Sequence, residues 1–147
     1  MNIPRIVGGT VIAFLLGACA SGPKMSDVAS SIPSLRSDEG RIYFYRSNSM
    51  LGAAIQPSIY LDGQVVGSSK PGGFFFVDAK PGPKEVATTT EVEKKLTFTL
   101  DRGQTRYVRT AISMGILAGR VQPELVDEAT GASELKEMSY IGTPLGR

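Results

Sequence analysis

Arg41, Tyr43, Tyr45 and Arg46 fall within one six-residue stretch. In an extended chain successive side chains point to opposite faces. Tyr43 and Tyr45 therefore share one face, and Ile42 and Phe44 share the other. Two phenol rings flanked by guanidinium groups could stack on a sugar or clamp a peptide strand. The competing reading is that this face packs against a second sheet. Phe74, Phe75 and Phe76 pose a related question. Three consecutive strand residues cannot all face inward, so at least one covers a second surface or is exposed. An exposed phenylalanine there would make an apolar contact site for lipid or a partner. The alternative is a strand buried on both faces, beneath loop and helix.

The usual catalytic sets are missing. The chain contains no histidine, which removes a Ser-His-Asp triad and every imidazole metal ligand. It contains one cysteine, Cys19, so neither an intrachain disulfide nor a cysteine cluster for zinc can form. No phosphate-cradling glycine loop, dinucleotide fingerprint or calcium loop occurs. Carboxylate, lysine, serine and tyrosine chemistry remains. Paired carboxylates do acid–base work only where a cleft drives their pKa values apart. Asp127-Glu128 reads instead as acid at the start of a helix, where it complements the helix dipole. Asp38-Glu39 reads as solvated, and Glu91 and Glu93 as surface charge beside Lys94 and Lys95. The expectation is a non-enzymatic protein without metal or cofactor. Sixteen Lys and Arg against fourteen Asp and Glu give no electrostatic footprint for nucleic acid.

Cys19 has its own spacing signal. Arg5 precedes a mostly apolar run from Ile6 to Leu16, too short for the about 20 residues a membrane-spanning helix needs. The run ends in Leu16-Gly17-Ala18-Cys19. This pattern resembles a lipobox, the processing site of bacterial lipoproteins. The two small residues let the backbone enter a peptidase cleft, and the thiol takes a diacylglycerol. Two or three acyl chains anchor stably, because each buried CH₂ contributes about 0.8 kcal/mol. Cleavage before Cys19 removes only Arg5 among charged residues, leaving 15 basic against 14 acidic side chains. Lipoproteins with this signal that lack Asp after the cysteine usually go to the outer membrane in diderm cells. Ala20 stands there, so the resemblance implies the outer membrane, facing the periplasm.

The elements behind these residues follow from punctuation. Residues 19–39 read as the lipidated cysteine and a Ser/Pro-rich tether, with a flexible span of roughly 25 Å. Met25, Val28, Ala29 and Ile32 compete with that reading, since their helical spacing suggests a short helix stopped by Pro33. From Gly40 onward short strand patterns alternate with turn signals. Strand candidates are 41–46, 55–61, 64–67, 74–77, 84–91, 94–100, 105–112 and 120–126. Asp62-Gly63 is a strong two-residue hairpin signal. Leu96, Phe98 and Leu100 alternate with Thr97 and Thr99, as in a strand with one face in water. Met114 to Gly119 reads as a loop or strand crossing, and the segment Ser113 to Gly119 could line the same patch as the phenylalanines. Pro123 suggests an edge strand or bulge. Thr130–Met138 reads as a short helix capped by Thr130 or Ser133, and residues 139–147 as fraying. The expected architecture is an antiparallel β-sandwich of immunoglobulin or transthyretin-like size with a short C-terminal helix. A small open β-barrel is the alternative. The expected units are a signal peptide (1–18), the tether (19–39), the β domain (40–141) and a tail (142–147).

Gly40-Arg-Ile-Tyr-Phe-Tyr-Arg46, Ile59-Tyr-Leu-Asp-Gly63 with Val66-Gly67, Gly73-Phe74-Phe75 and Pro81-Gly82 resemble the bacterial family called domain of unknown function 2846, over residues ~40–138. They also resemble PEGA-type β modules of bacterial surface proteins. The resemblance implies a small envelope lipoprotein and carries no activity. Such families often have a histidine after the Pro-Gly turn. Lys84 occupies that region here, so no histidine-based role applies. The functional expectation is a lipid-anchored envelope module that binds a protein partner or supports the envelope. The alternatives are a carrier of a lipid or other hydrophobic ligand, and a peptidoglycan or glycan binder using Tyr43 and Tyr45.

Overall fold

A computed structural model of the chain describes residues 19–90, 92–114 and 119–145. The expected signal peptide, Glu91 and the apolar residues 115–118 lie outside the described residues.

In chain order the elements are α1 (Met25–Val28), a 3₁₀ turn (Ala29–Ser31), β1 (Gly40–Tyr45), β2 (Ser58–Leu61), β3 (Gln64–Ser68), β4 (Gly73–Ala79), β5 (Gly82–Thr89), β6 (Glu93–Leu100), β7 (Thr105–Met114), β8 (Gly119–Val126), α2 (Glu128–Leu135) and β9 (Ser139–Tyr140). The strands form two sheets, ordered β8-β7-β1-β4-β9 and β3-β2-β5-β6. This is a mainly β sandwich rather than a closed barrel. It is not antiparallel throughout: β1 runs parallel to β7, and β4 runs parallel to β9. Those pairings join segments far apart in sequence, which no turn signal encodes.

The inter-sheet core contains Ile42, Phe44, Ile59, Leu61, Phe75, Val86, Leu100 and Val108. A second apolar layer lies on the outer face of the five-stranded sheet. It holds Tyr43, Tyr45, Phe74, Tyr107 and Val28, with Leu135 and Met138 from the C-terminal segment. All six residues of β1 are therefore buried, one face against the opposite sheet and the other beneath the helices. The four-stranded sheet leaves its far face in water, so β6 shows the expected alternation, ending on buried Leu100.

Asp62 and Gly63 close the β2–β3 hairpin with φ of 50° and 81°, the positive values this turn requires. Pro123 lies on β8, an edge strand, where its missing N–H costs no ladder bond. Helix α2 starts earlier than expected. Its cap is Asp127, whose carboxylate accepts from the Thr130 N–H at 2.9 Å and the Thr130 hydroxyl at 2.7 Å. Two bonds from one carboxylate outweigh what the Thr130 or Ser133 hydroxyl offers as a cap.

The segments before β1 and after α2 depart from expectation in the same way. Residues 139–140 do not fray but pair with β4, and the Ile141 N–H donates to the Phe74 carbonyl at 2.9 Å. Residues 20–33 lie against the sandwich instead of spanning free. The Ala20 N–H donates to the Pro71 carbonyl at 2.9 Å, Tyr140 N–H to Pro23 at 2.7 Å and Met25 N–H to Met138 at 3.2 Å. The helical spacing of Met25, Val28 and Ile32 is the signal that prevails, because those side chains cover the outer aromatic layer.

Candidate functional site

The residues singled out by type meet on and around β1, and most are engaged. Arg41 is 6% exposed. Its guanidinium grips Asp78 through Nε and Nη2 at 2.6 and 2.7 Å and donates to the Pro33 carbonyl at 2.8 Å. It also sits 4.4 Å above the centre of the Phe76 ring. The hydrogen bonds to Asp78 hold its proton more firmly than usual, against the opposing effect of burial. Arg41 thus clamps the N-terminal segment to the sheet.

Tyr45 is 2% exposed, and its hydroxyl donates to Glu134 Oε2 at 2.5 Å. The other Glu134 oxygen accepts from Arg109 at 2.8 Å, and Arg109 reaches Glu124 at 3.2 Å. This chain ties α2 to β7 and β8. Burial, and then the bond to Glu134, push the Tyr45 phenol well above its ordinary pKa. Tyr43 and Tyr45 share a face as expected, but that face is covered by helix. Tyr43 stacks on Tyr107 with ring centres 5.5 Å apart and planes 14° from parallel, so the two predicted rings form no open platform. The phenylalanines divide between layers: Phe75 enters the inter-sheet core, while Phe74 and Phe76 pack in the outer layer. Arg46 is buried, and burial lowers its pKa. Among the described residues it has no carboxylate partner.

The outer layer is not sealed: one hollow lies among Val28, Tyr140 and Leu145, and the more apolar opening is at the helices. A groove of roughly 470 Å³ lies between α1 and α2, lined by Met25, Ala29, Tyr43, Tyr107, Ala132 and Leu135. At its floor the helix approaches so closely that any side chain on Gly131 would collide with the Tyr107 ring. Burial raises the Tyr107 phenol pKa. In the sequence Tyr107 falls only within the strand candidate 105–112. Its partnership with Tyr43 comes from the parallel β1–β7 register.

Cys19 lies elsewhere, at the end of the sandwich where β1 finishes. Its Sγ is 3.8 Å from Asn48 Oδ1. The acidic groups occupy structural positions: Asp38 bonds Lys80 at 2.6 Å, Lys95 pairs with Glu85 and Glu93, and Asp127 caps α2. Among the described residues no three ligating side chains converge into a metal site, and no helix is long and apolar enough to cross a membrane.

Comparison with known proteins adds a family. The profile of the family described as "Protein of unknown function (DUF2846)" matches residues 36–122. An uncharacterized protein of Haemophilus influenzae is 27% identical over 133 residues, covering 87% of this chain and 79% of the relative.

Proposed function

The chain belongs to the DUF2846 family, which names no activity, so we propose its role from its own residues: it is an envelope lipoprotein held on a bacterial membrane by lipid on Cys19, acting without catalysis as a binding or structural accessory module. One observation carries this reading: Leu16-Gly17-Ala18-Cys19 follows an apolar run that begins after Arg5. Ala20, rather than Asp, favours the outer membrane and a periplasmic domain. The non-enzymatic reading is supported by the ion pairs and caps that occupy its acidic groups. For a protein partner the accessible surface is β3, an edge strand whose Val65 is 60% exposed. Edge strands accept an added strand through unpaired backbone groups.

The intact mass of the chain purified from membranes tests the anchor. The expected mass lacks residues 1–18 and carries added acyl groups. A mature chain with an unmodified thiol, or an uncleaved chain, overturns the reading. In-cell cross-linking from position 65, with Cys19→Ala as control, tests the accessory role. A dominant partner lost in the Cys19→Ala strain supports it, and an absence of reproducible protein partners counts against it.

The Tyr43–Tyr107 groove favours a second reading, a carrier of a hydrophobic ligand. Native mass spectrometry of the purified chain decides it: a co-purifying apolar molecule displaced by Ala132→Trp supports it, and uniformly empty protein removes it.

A further inference from the structure

The end of the sandwich beside Cys19 has a composition and construction that anchoring alone does not require. The connection from Ser47 to Pro57 contains no charged residue, and the neighbouring connection from Ser69 to Gly72 contains only Lys70. Within the first, Met50 is 82% exposed and Leu51 52% exposed. Isolated exposed apolar side chains are ordinary; these two are adjacent and stand in a loop held in shape from below. Arg46 donates to the carbonyls of Ile55 at 2.6 Å, Ser69 at 3.2 Å, Gly52 at 2.8 Å and Leu51 at 3.4 Å. The Leu51 N–H donates to Ser49 Oγ at 3.2 Å, and Ala53 N–H to the Met50 carbonyl at 3.2 Å. Burying a guanidinium without a carboxylate partner is costly. Here it fixes a loop that presents its apolar tip to the outside.

The anchor is close to that tip. Cys19 Sγ lies beside Asn48, and Ala20 is bonded to Pro71. A free tether of 20 residues would let the domain drift roughly 25 Å from the headgroups. Residues 20–33 are instead bound along the sandwich, so acyl chains on Cys19 leave almost no slack. Val92, 49% exposed, lies at the same end in the turn that joins β5 and β6, where the exposed Glu93 follows it and is paired with Lys95 at 3.3 Å.

We propose that Met50 and Leu51 insert into the headgroup region of the bilayer that holds Cys19, with Lys70 beside anionic phosphates. This rests on the lipid-anchor reading and goes beyond it by fixing the domain's orientation. Apolar side chains at such an interface reach about 5–10 Å below the surface. The absence of acidic residues from both connections avoids repulsion from anionic lipid. The strands then stand upright, and the Asp62-Gly63 hairpin tip projects away from the membrane, where a partner can reach it.

The test uses the full chain, purified in its processed form and placed in vesicles of phosphatidylethanolamine and phosphatidylglycerol. Acylated Cys19 has no free thiol, so a cysteine introduced by Leu51→Cys or Val65→Cys is the sole labelling site. Each variant carries an environment-sensitive fluorophore, and part of the lipid carries a quencher near the headgroup. The expected result is a blue shift and several-fold quenching at position 51, with a water-like, unquenched signal at position 65. The mass of each sample is read first. Acylated protein with a water-like label at position 51 overturns the insertion and leaves the anchor standing. Protein without acyl mass overturns the anchor and the insertion with it.

Discussion

Two buried arginines stand at opposite ends of β1, five residues apart, and they are satisfied in different ways. Arg41 has a carboxylate partner, Asp78, in a two-pronged ion pair, with one additional bond to the Pro33 carbonyl. Arg46 has carbonyl oxygens alone. The first arrangement neutralises the charge and fastens the N-terminal segment across the sheet. The second leaves the charge without a carboxylate and uses its donors to shape an irregular loop. A guanidinium can thus serve as a clamp where a carboxylate faces it, or as a template where only unpaired backbone surrounds it.

The comparison breaks most sharply at Asp78. Asp78→Ala strands the Arg41 charge in a buried setting, for an expected loss of about 3–5 kcal/mol, read from the denaturant midpoint. Arg41→Met combined with Asp78→Leu should recover most of that loss, because no charge then remains to be desolvated. At the other end, Arg46→Met leaves carbonyls unpaired but also removes an uncompensated charge. The expected net loss is smaller, about 2 kcal/mol, with faster proteolysis between Ser47 and Gln56 as the accompanying sign. A larger loss at Arg46 than at Asp78 would overturn the distinction between template and clamp.

Tyr45→Phe probes the network between these ends at a cost of about 1 kcal/mol. Its sharper readout is alkaline denaturation. The folded state holds the Tyr45 proton to a higher pH than the unfolded chain, whose phenol ionises near 10.0. The stability it contributes is complete below that pH and is lost as the pH rises above it. Tyr45→Phe should flatten this decline. Part of it persists, because the phenols of Tyr107 and Tyr140 shift the same way. The smallest effect is at Asp127. Bonds from Thr130 hold its pKa below 3.8, so its contribution is present above that value and fades as the pH falls. Asp127→Ala should lower the melting temperature slightly near neutrality and by less in strong acid.

Much of the sandwich was legible in sequence. The alternation in Lys94–Leu100, the Asp62-Gly63 turn and the edge position of Pro123 follow from local rules that tertiary packing did not override. The division of Phe74, Phe75 and Phe76 between two layers followed from strand geometry, though not which ring went where. Other features were hidden. Asp127 was read as a dipole partner rather than the cap, because capping depends on where the helix starts. Residues 139–140 looked like a fraying tail, since a two-residue strand has no period. The helical spacing of Met25, Val28 and Ile32 was visible, but the surface it covers was not.

By itself the sequence determined the Leu16-Gly17-Ala18-Cys19 pattern on which the proposed anchor rests, the absence of histidine and the strand-and-turn rhythm, because each is written in residue types and short spacings. The tertiary structure decided the rest. It joined β1 to β7 in parallel, set Tyr43 against Tyr107, left Arg46 among carbonyls and brought Cys19 against Asn48, in the loop that carries Met50 and Leu51. Those outcomes depend on contacts between residues tens of positions apart. Such contacts arise from which apolar faces find one another when the chain collapses, and local spacing does not record that.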